Sequence, residues 1–241
     1  MAGYSERIAL AALEGKAIEL RTDPPVVWAS GYRMPIYNDN RLFLRSAGSR
    51  LLIAEAFVDS LQRLQIDYDL IAGTSTAGIS PATTLADKLG CGLVYVRDKP
   101  KDHGLRNQIE GIRAEDGLEG RTVILIEDLV STGGSSVAAV QAIRDAGGVC
   151  NHCLSIFTYG FDKADKMFAG VEPFDKEETK KLETPCVLTP SLDYDTLISI
   201  AKDTGYIDEV QAKLLAEWRK DPFGWGEKRG YPRVVSKVEK K

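Results

Sequence analysis

Two adjacent carboxylates, Glu127 and Asp128, close a run of apolar residues from Val123 to Ile126. Just beyond them come Ser131, Thr132, Gly133, Gly134 and Ser135, which open a segment with helical periodicity from Val137 to Arg144. The apolar run suits a strand buried on both faces of a parallel sheet. Ligands in open α/β sheets bind at the carboxyl ends of such strands, where these acids stand. Carboxylates suit hydroxyl groups or a metal. Bare amides and hydroxyls at the start of a helix suit an anion, above all a phosphate. A plain strand-to-helix turn would account for the glycines and an N-cap hydroxyl, but it has no use for paired acids. One ligand meeting both features would carry hydroxyls and a phosphate, as a sugar phosphate does.

Two further loops belong to the same edge if strands and helices alternate. "AGTSTAG" at 72–78 is a strand-ending turn of small and hydroxylated residues, including Thr74 and Ser75, where a bulky anion can approach the backbone. "RDKPKDHG" at 97–104 gathers Arg97, Lys99, Lys101 and His103 after the next strand. Charge runs are usually solvated surface. At a strand's carboxyl end, however, a basic loop can close over a polyphosphate, exclude water and stabilise a leaving group.

The elements that must position these loops follow from the periodicity of the chain. Helix is expected over 5–20, 47–64, about 85–88 and 137–146, and strand at 70–72, 93–96, 123–126 and about 153–159. This alternation predicts an α/β core with a parallel sheet. Three segments are expected: an N-terminal helix and hood over 1–45, a core over 46–160, and a C-terminal helical appendage over 161–241. The appendage opens charged and loop-rich and then reads as two short helices.

The 241 residues include 44% hydrophobic side chains, enough for a proper core, and the formal net charge is −4. An acidic balance argues against a nucleic-acid or anionic-membrane surface. No apolar stretch reaches the length of a membrane span, and the N-terminus reads as an amphipathic helix rather than a secretory signal, so a cytoplasmic location is expected. "CNHC" at 150–153 has metal-ligand spacing. In a strand, though, positions three apart point to opposite faces, so buried thiols are expected there.

"VILIEDLVSTGGSS" resembles the phosphoribosyl-pyrophosphate signature of type I phosphoribosyltransferases. The loop "YVRDKPKDHG" with its following "IEG", and "SGYRMPIYNDNR" near the N-terminus, resemble the orotate phosphoribosyltransferases in particular. The resemblance runs from about residue 5 to 160. It implies a type I phosphoribosyltransferase core and transfer of the phosphoribosyl group of 5-phosphoribosyl 1-pyrophosphate (PRPP) to orotate, a step of pyrimidine biosynthesis. Alternatives within the same fold are a purine phosphoribosyltransferase and a non-catalytic PRPP-binding regulator.

By that resemblance Glu127 and Asp128 hold the ribose hydroxyls, Ser131 to Ser135 cradle the 5-phosphate, and Leu129 and Val130 also contact PRPP. Thr74 and Ser75 face the pyrophosphate, and Arg97, Lys99, Lys101 and His103 contact it from the basic loop. Lys101, His103 and Asp128 are the implied catalytic residues. Ser131, Arg33, Tyr37 and Lys163 are the implied orotate contacts. The implied metal is Mg²⁺, carried on PRPP with few direct protein ligands. The basic loop serves the neighbouring subunit's site, which implies a homodimer. Many members of the family carry Lys where this chain has Ala29 and Asp98, which makes Lys99 and Arg33 the candidate replacements. Lys163 is the basic residue nearest to where the family often places an Arg for the orotate carboxylate.

Overall fold

The computed structural model describes residues 3–28, 30–98, 108–113, 116–175 and 177–234. In chain order the elements are α1 (Tyr4–Glu14), β1 (Ile18–Leu20), β2 (Val26–Val27), β3 (Arg33–Met34), β4 (Ile36–Asn38), a 3-10 helix (Asn40–Arg45), α2 (Ala47–Arg63), β5 (Leu70–Thr74), α3 (Ile79–Leu89), β6 (Gly92–Val96), β7 (Ile109–Glu110), β8 (Thr122–Val130), α4 (Gly134–Asp145), β9 (Val149–Thr158), α5 (Asp162–Phe168), β10 (Val187–Asp193), α6 (Tyr194–Asp203), α7 (Glu209–Lys220) and α8 (Trp225–Lys228). They form two compact units, one of residues 1–8 and 44–194, the other of residues 9–43 and 195–241.

The first unit holds a six-stranded sheet in the order β10-β9-β8-β5-β6-β7. Every pair is parallel except β6–β7, which is antiparallel. From β5 the chain crosses through α3 to β6 on one side, whereas β8 lies on the other side of β5 and leads through α4 to β9. Right-handed crossovers running in opposite directions place α3 and α4 on opposite faces. The strand order therefore reverses between β5 and β8, where an open α/β sheet offers its binding crevice. Leu70, Ala72, Val94, Val96, Val123 and Leu125 pack with Val137, Val140 and Ile143 of α4 in one buried cluster. All of β5, and β8 from Val123 to Glu127, is buried, as expected of strands covered on both faces.

Three elements differ from the sequence expectations. The helix expected over 5–20 ends at Glu14, because the chain turns at Gly15 and Lys16, the latter at φ +56°. The apolar residues that follow form β1 instead, paired with β4. Strand β10 lies within the stretch expected to be appendage, yet it extends the sheet parallel to β9. Pro190 and polar neighbours hide this strand from periodicity, and an edge position is where a sheet tolerates proline. Finally, the register of β8 on β9 shifts by one residue between Thr122/Val149 and Ile124/His152. This β-bulge cancels the alternation, so Cys150 and Cys153 enter the same buried cluster, together with Cys186. Both thiols of the "CNHC" stretch are buried, as expected, but not on opposite faces.

The second unit contains two small antiparallel pairs, β1–β4 and β2–β3. Trp218 of α7 is fully buried, donates from Nε1 to Met34 Sδ at 3.0 Å and meets Trp28 edge-on at 6.4 Å. Helix α7 starts with a capping box in which Asp208 and Gln211 satisfy each other's backbone amides.

Arg144, near the end of α4, ties the sheet's edge together. Its guanidinium donates to Cys150 O at 2.7 Å, Thr184 O at 2.6 Å and Pro185 O at 3.1 Å. These bonds anchor the chain leading into β10. Hydrogen bonds from a charged donor are each worth about 1.5–3 kcal/mol, with partly exposed ones at the low end, so Arg144→Ala is expected to cost about 2 kcal/mol. Urea unfolding of the two proteins checks this, and an unchanged midpoint would mean that water replaces the guanidinium without loss.

Candidate active site

The carboxyl ends of β5, β6 and β8 surround a cavity of about 410 Å³. It is lined by Thr74, Ser75, Thr76 and Ala77 after β5, by Val96, Arg97, Asp98 and Gln108 around β6, by Glu127, Asp128 and Leu129 of β8, and by Ser135, Ala138 and Ala139 of α4. That volume suits a small polar ligand. Its place matches the reversal in strand order.

Strand β8 runs on to Val130, so the paired acids lie inside its last turn of ladder rather than beyond it. Alternation then separates them. Glu127 points into the protein with 6% exposure yet still borders the cavity, while Asp128 is half-buried on its wall. Both oxygens of Glu127 are engaged. Oε1 accepts from Thr74 Oγ1 at 2.6 Å and from the Asp128 amide at 3.0 Å, and Oε2 pairs with Ser136 Oγ at 2.9 Å. Burial pushes the Glu127 carboxyl up to about 8, against the pull of the Thr74 bond and with a further push from the charge of Asp128.

The turn after β5 is tight. A side chain on Gly78 would place Cβ 2.3 Å from Thr74 Oγ1 and 2.6 Å from Ile126 O, so only glycine lets the turn close against β8. The Ser75–Thr76 peptide in this turn is cis. The second turn depends on Gly133, which caps α4 at φ +88° with Ala164 of α5 packed against it. No side chain caps α4, so its first-turn amides are offered to whatever lies at Ser131 to Ser135.

The structure brings Thr74, Ser75, Arg97, Glu127, Asp128, Leu129 and Ser135 together on the cavity wall. Arg97 is also paired with Glu110 of β7 at 3.2 Å. Ser131, Thr132 and Gly134 are half-buried in the turn beyond the lining, and the side chain of Val130 is wholly buried in the apolar cluster. Lys163 is exposed on α5, one residue from Ala164. Arg33 of β3 and Tyr37 of β4 are half-buried in the second unit. Lys99, Lys101, His103 and Ala29 lie outside the described residues.

Sequence reasoning missed Ser136, Gln108, Ala138 and Ala139, whereas Thr76 and Ala77 fall within the "AGTSTAG" turn it singled out. Ser136 had a signal, being a hydroxyl in the first turn of the helix behind the acids. Gln108 had none, because its place depends on β7 folding back along β6. Among the described residues no cluster of His, Cys, Asp or Glu is arranged to hold a metal. Magnesium bound through substrate oxygens and water needs no such cage, and the oxygen-rich wall of Thr74, Ser75, Thr76, Asp128 and Ser135 suits an ion arriving on a polyphosphate.

The pattern of the phosphoribosyl transferase domain family matches residues 43–169. The fold and the cavity are thus those of a phosphoribosyltransferase. The orotate phosphoribosyltransferase of Cytophaga hutchinsonii is 39% identical over 224 residues, covering 92% of this chain and 98% of that protein. That of Listeria innocua is 41% identical over 221 residues, with the same coverage. The crystal structure of orotate phosphoribosyltransferase from Aeropyrum pernix superposes with a TM-score of 0.63 at 22% identity, over 83% of this chain and 99% of that one, and shares the fold. The chain belongs to the orotate phosphoribosyltransferase family.

The Glu127 carboxyl has a measurable consequence. Folding raises its value from 4.5 to about 8, so the folded protein holds this proton more tightly than the unfolded chain. Its stabilising contribution is complete below about pH 4.5 and is lost as the pH rises through about 8. The melting temperature of the native protein is expected to fall across this window more steeply than that of Glu127→Gln, which has no proton to lose. Parallel profiles would show that the carboxyl is ionised when folded.

Proposed function

We propose that this chain transfers the phosphoribosyl group of PRPP to orotate, giving orotidine 5-phosphate and pyrophosphate, as a cytoplasmic enzyme of pyrimidine biosynthesis. The observation that carries the reading is the cavity at the strand reversal, where an acid, a hydroxyl-rich turn and an uncapped helix start converge in a chain about two-fifths identical to orotate phosphoribosyltransferases.

Asp128 receives the ribose hydroxyls from the cavity wall. The turn of Ser131 to Ser135 and the start of α4 receive the 5-phosphate. Thr74, Ser75 and the following backbone meet the pyrophosphate, together with Arg97 and the Lys99, Lys101 and His103 loop. Displacement at the anomeric carbon builds positive charge on the sugar and negative charge on the leaving group. Lys101 and His103 neutralise the departing pyrophosphate, and Asp128 orients the ribose while tolerating its growing charge. Bound Mg²⁺ supplies further charge neutralisation on the phosphate oxygens. Ser131, Arg33, Tyr37 and Lys163 are the proposed orotate contacts.

The direct test offers orotate, uracil and adenine as competing acceptors with PRPP and Mg²⁺, following loss of the free base spectrophotometrically. Orotate alone is expected to be consumed, and preferential use of adenine would sink the assignment. In the same assay Asp128→Asn is expected to lower turnover about 100-fold, the effect of losing roughly 3 kcal/mol of transition-state interaction. Its melting temperature should stay close to that of the native protein. Retained turnover with a large loss of stability would make Asp128 structural.

The proposed homodimer shares its sites, the basic loop of one subunit completing the other's. Inactive Lys101→Ala and Asp128→Asn proteins are then expected to regain activity when their subunits are exchanged, because a hybrid holds one intact site. No recovery after verified exchange would contradict sharing.

A further inference from the structure

We propose that Phe223 and Arg233, in the C-terminal stretch, are positioning residues that hold the turn of Ser30 to Arg33 in the shape the acceptor base meets. The inference rests on the orotate reading above, in which Arg33 and Tyr37 contact the acceptor. It gives the C-terminal stretch a task in acceptor recognition.

The turn has little to hold itself with. It joins β2 to β3, and that ladder pairs only Val26 with Met34 and Val27 with Arg33. A lone two-stranded hairpin is marginal in water. Within the turn, the Trp28 amide donates to Tyr32 O at 2.9 Å and the Gly31 amide to Trp28 O at 2.8 Å, with Gly31 at φ +85°. Glycine has more conformational freedom to lose on ordering than any other residue. Such a turn takes its shape from what packs on it.

Beyond α7 the chain returns to this turn and clasps it. The Val234 amide donates to Gly31 O at 2.8 Å, and Arg233 Nε to Ser30 O at 3.0 Å. The Arg233 guanidinium lies over the Tyr32 ring at 4.5 Å, and Phe223 meets that ring edge-on at 5.3 Å. Gly226 of α8 packs on the Arg33 carbonyl, where a Cβ would come within 2.9 Å, and a Cβ on Gly31 would collide with Val234 O. Tyr231 anchors the stretch by donating its hydroxyl to Asp23 Oδ1 at 2.9 Å. Every residue from Ser30 to Arg33 is thus touched by the C-terminal stretch. These contacts go to backbone and to a ring. The Arg33 Nε is buried and has no hydrogen-bond partner among the described residues, so the clasp fixes the backbone of Arg33 and leaves this donor unspent.

Preorganisation of this kind has a kinetic signature. Without the clasp the turn samples other shapes, and the acceptor binds only the fraction still in the competent one. Its apparent affinity falls by that fraction. Bound acceptor restores the turn, so turnover at saturation is kept. The proposed PRPP contacts lie in other segments, and PRPP does not share the loss.

The test is steady-state kinetics of native protein, Arg233→Ala, Phe223→Ala and Arg233→Lys, with orotate and PRPP varied in turn at saturating Mg²⁺. Hydrogen exchange of the Trp28 and Gly31 amides is followed by NMR in the same proteins. Both replaced side chains are exposed, so the variants are expected to fold. Arg233→Ala and Phe223→Ala are each expected to raise the KM for orotate about fivefold, with kcat and the KM for PRPP within about twofold of native. The two amides are expected to exchange faster in both. Arg233→Lys keeps a cation for the Tyr32 ring and a donor for Ser30 O, and is expected to stay within about twofold of native. An unchanged KM for orotate would overturn the proposal by making the clasp a matter of stability alone, and unchanged exchange would overturn it by showing that the turn holds itself. KM values for orotate and PRPP rising in step would overturn it by pointing to general damage. Native protein that consumes no orotate would instead overturn the reading on which the proposal rests.

Discussion

Burying a carboxyl is costly unless hydrogen bonds or a proton meet it. At Glu127 both conditions are arranged. The parallel sheet brings Thr74 on β5 beside β8, and the crossover from β8 returns Ser136 at the first turn of α4. The cavity then inherits its shape from that joint, since its walls are the turns that leave these strands. Gly78 and Gly133 allow those turns to close at the required distance, one by lacking a side chain and the other by accepting a left-handed backbone. The cavity wall then consists of Glu127, Asp128, the hydroxyls of the β5 turn and Ser135 at the start of α4, among others.

The pair of acids thus takes two different surroundings from the simplest property of a strand. Successive side chains face opposite ways. Glu127 turns inward to Thr74 and Ser136 while still bordering the cavity, and Asp128 stands half-buried on its wall. Burial is the largest cause of the raised proton affinity of Glu127, with the charge of Asp128 adding to it.

Much of this was legible in the sequence because it is local. Four apolar residues before two acids gave β8, and the Gly-Gly turn gave the start of α4. Alternation of strand and helix gave the parallel sheet. The resemblance of "VILIEDLVSTGGSS" then supplied chemistry that no periodicity contains. What stayed hidden depends on residues far apart in the chain. Strand β10 is stabilised by its pairing with β9 rather than by its own pattern, so Pro190 and polar neighbours disguised it. The bulge that unites Cys150 with Cys153 is a property of register. The joint at Glu127 needs partners at 53 and 9 residues' remove. Sequence reasoning saw the acids only as a pair, whereas the fold gives them different surroundings, Glu127 bonded to Thr74 and Ser136 and Asp128 half-buried on the cavity wall.

The most direct measurement of this account is a crystal structure of the protein with PRPP and Mg²⁺ bound. The 5-phosphate is expected against the amides of Ser131 to Ser135, the pyrophosphate against the turn after Thr74, and the ribose hydroxyls on Asp128. Ribose hydroxyls turned away from Asp128, or the two phosphate ends exchanged between the turns, would contradict it.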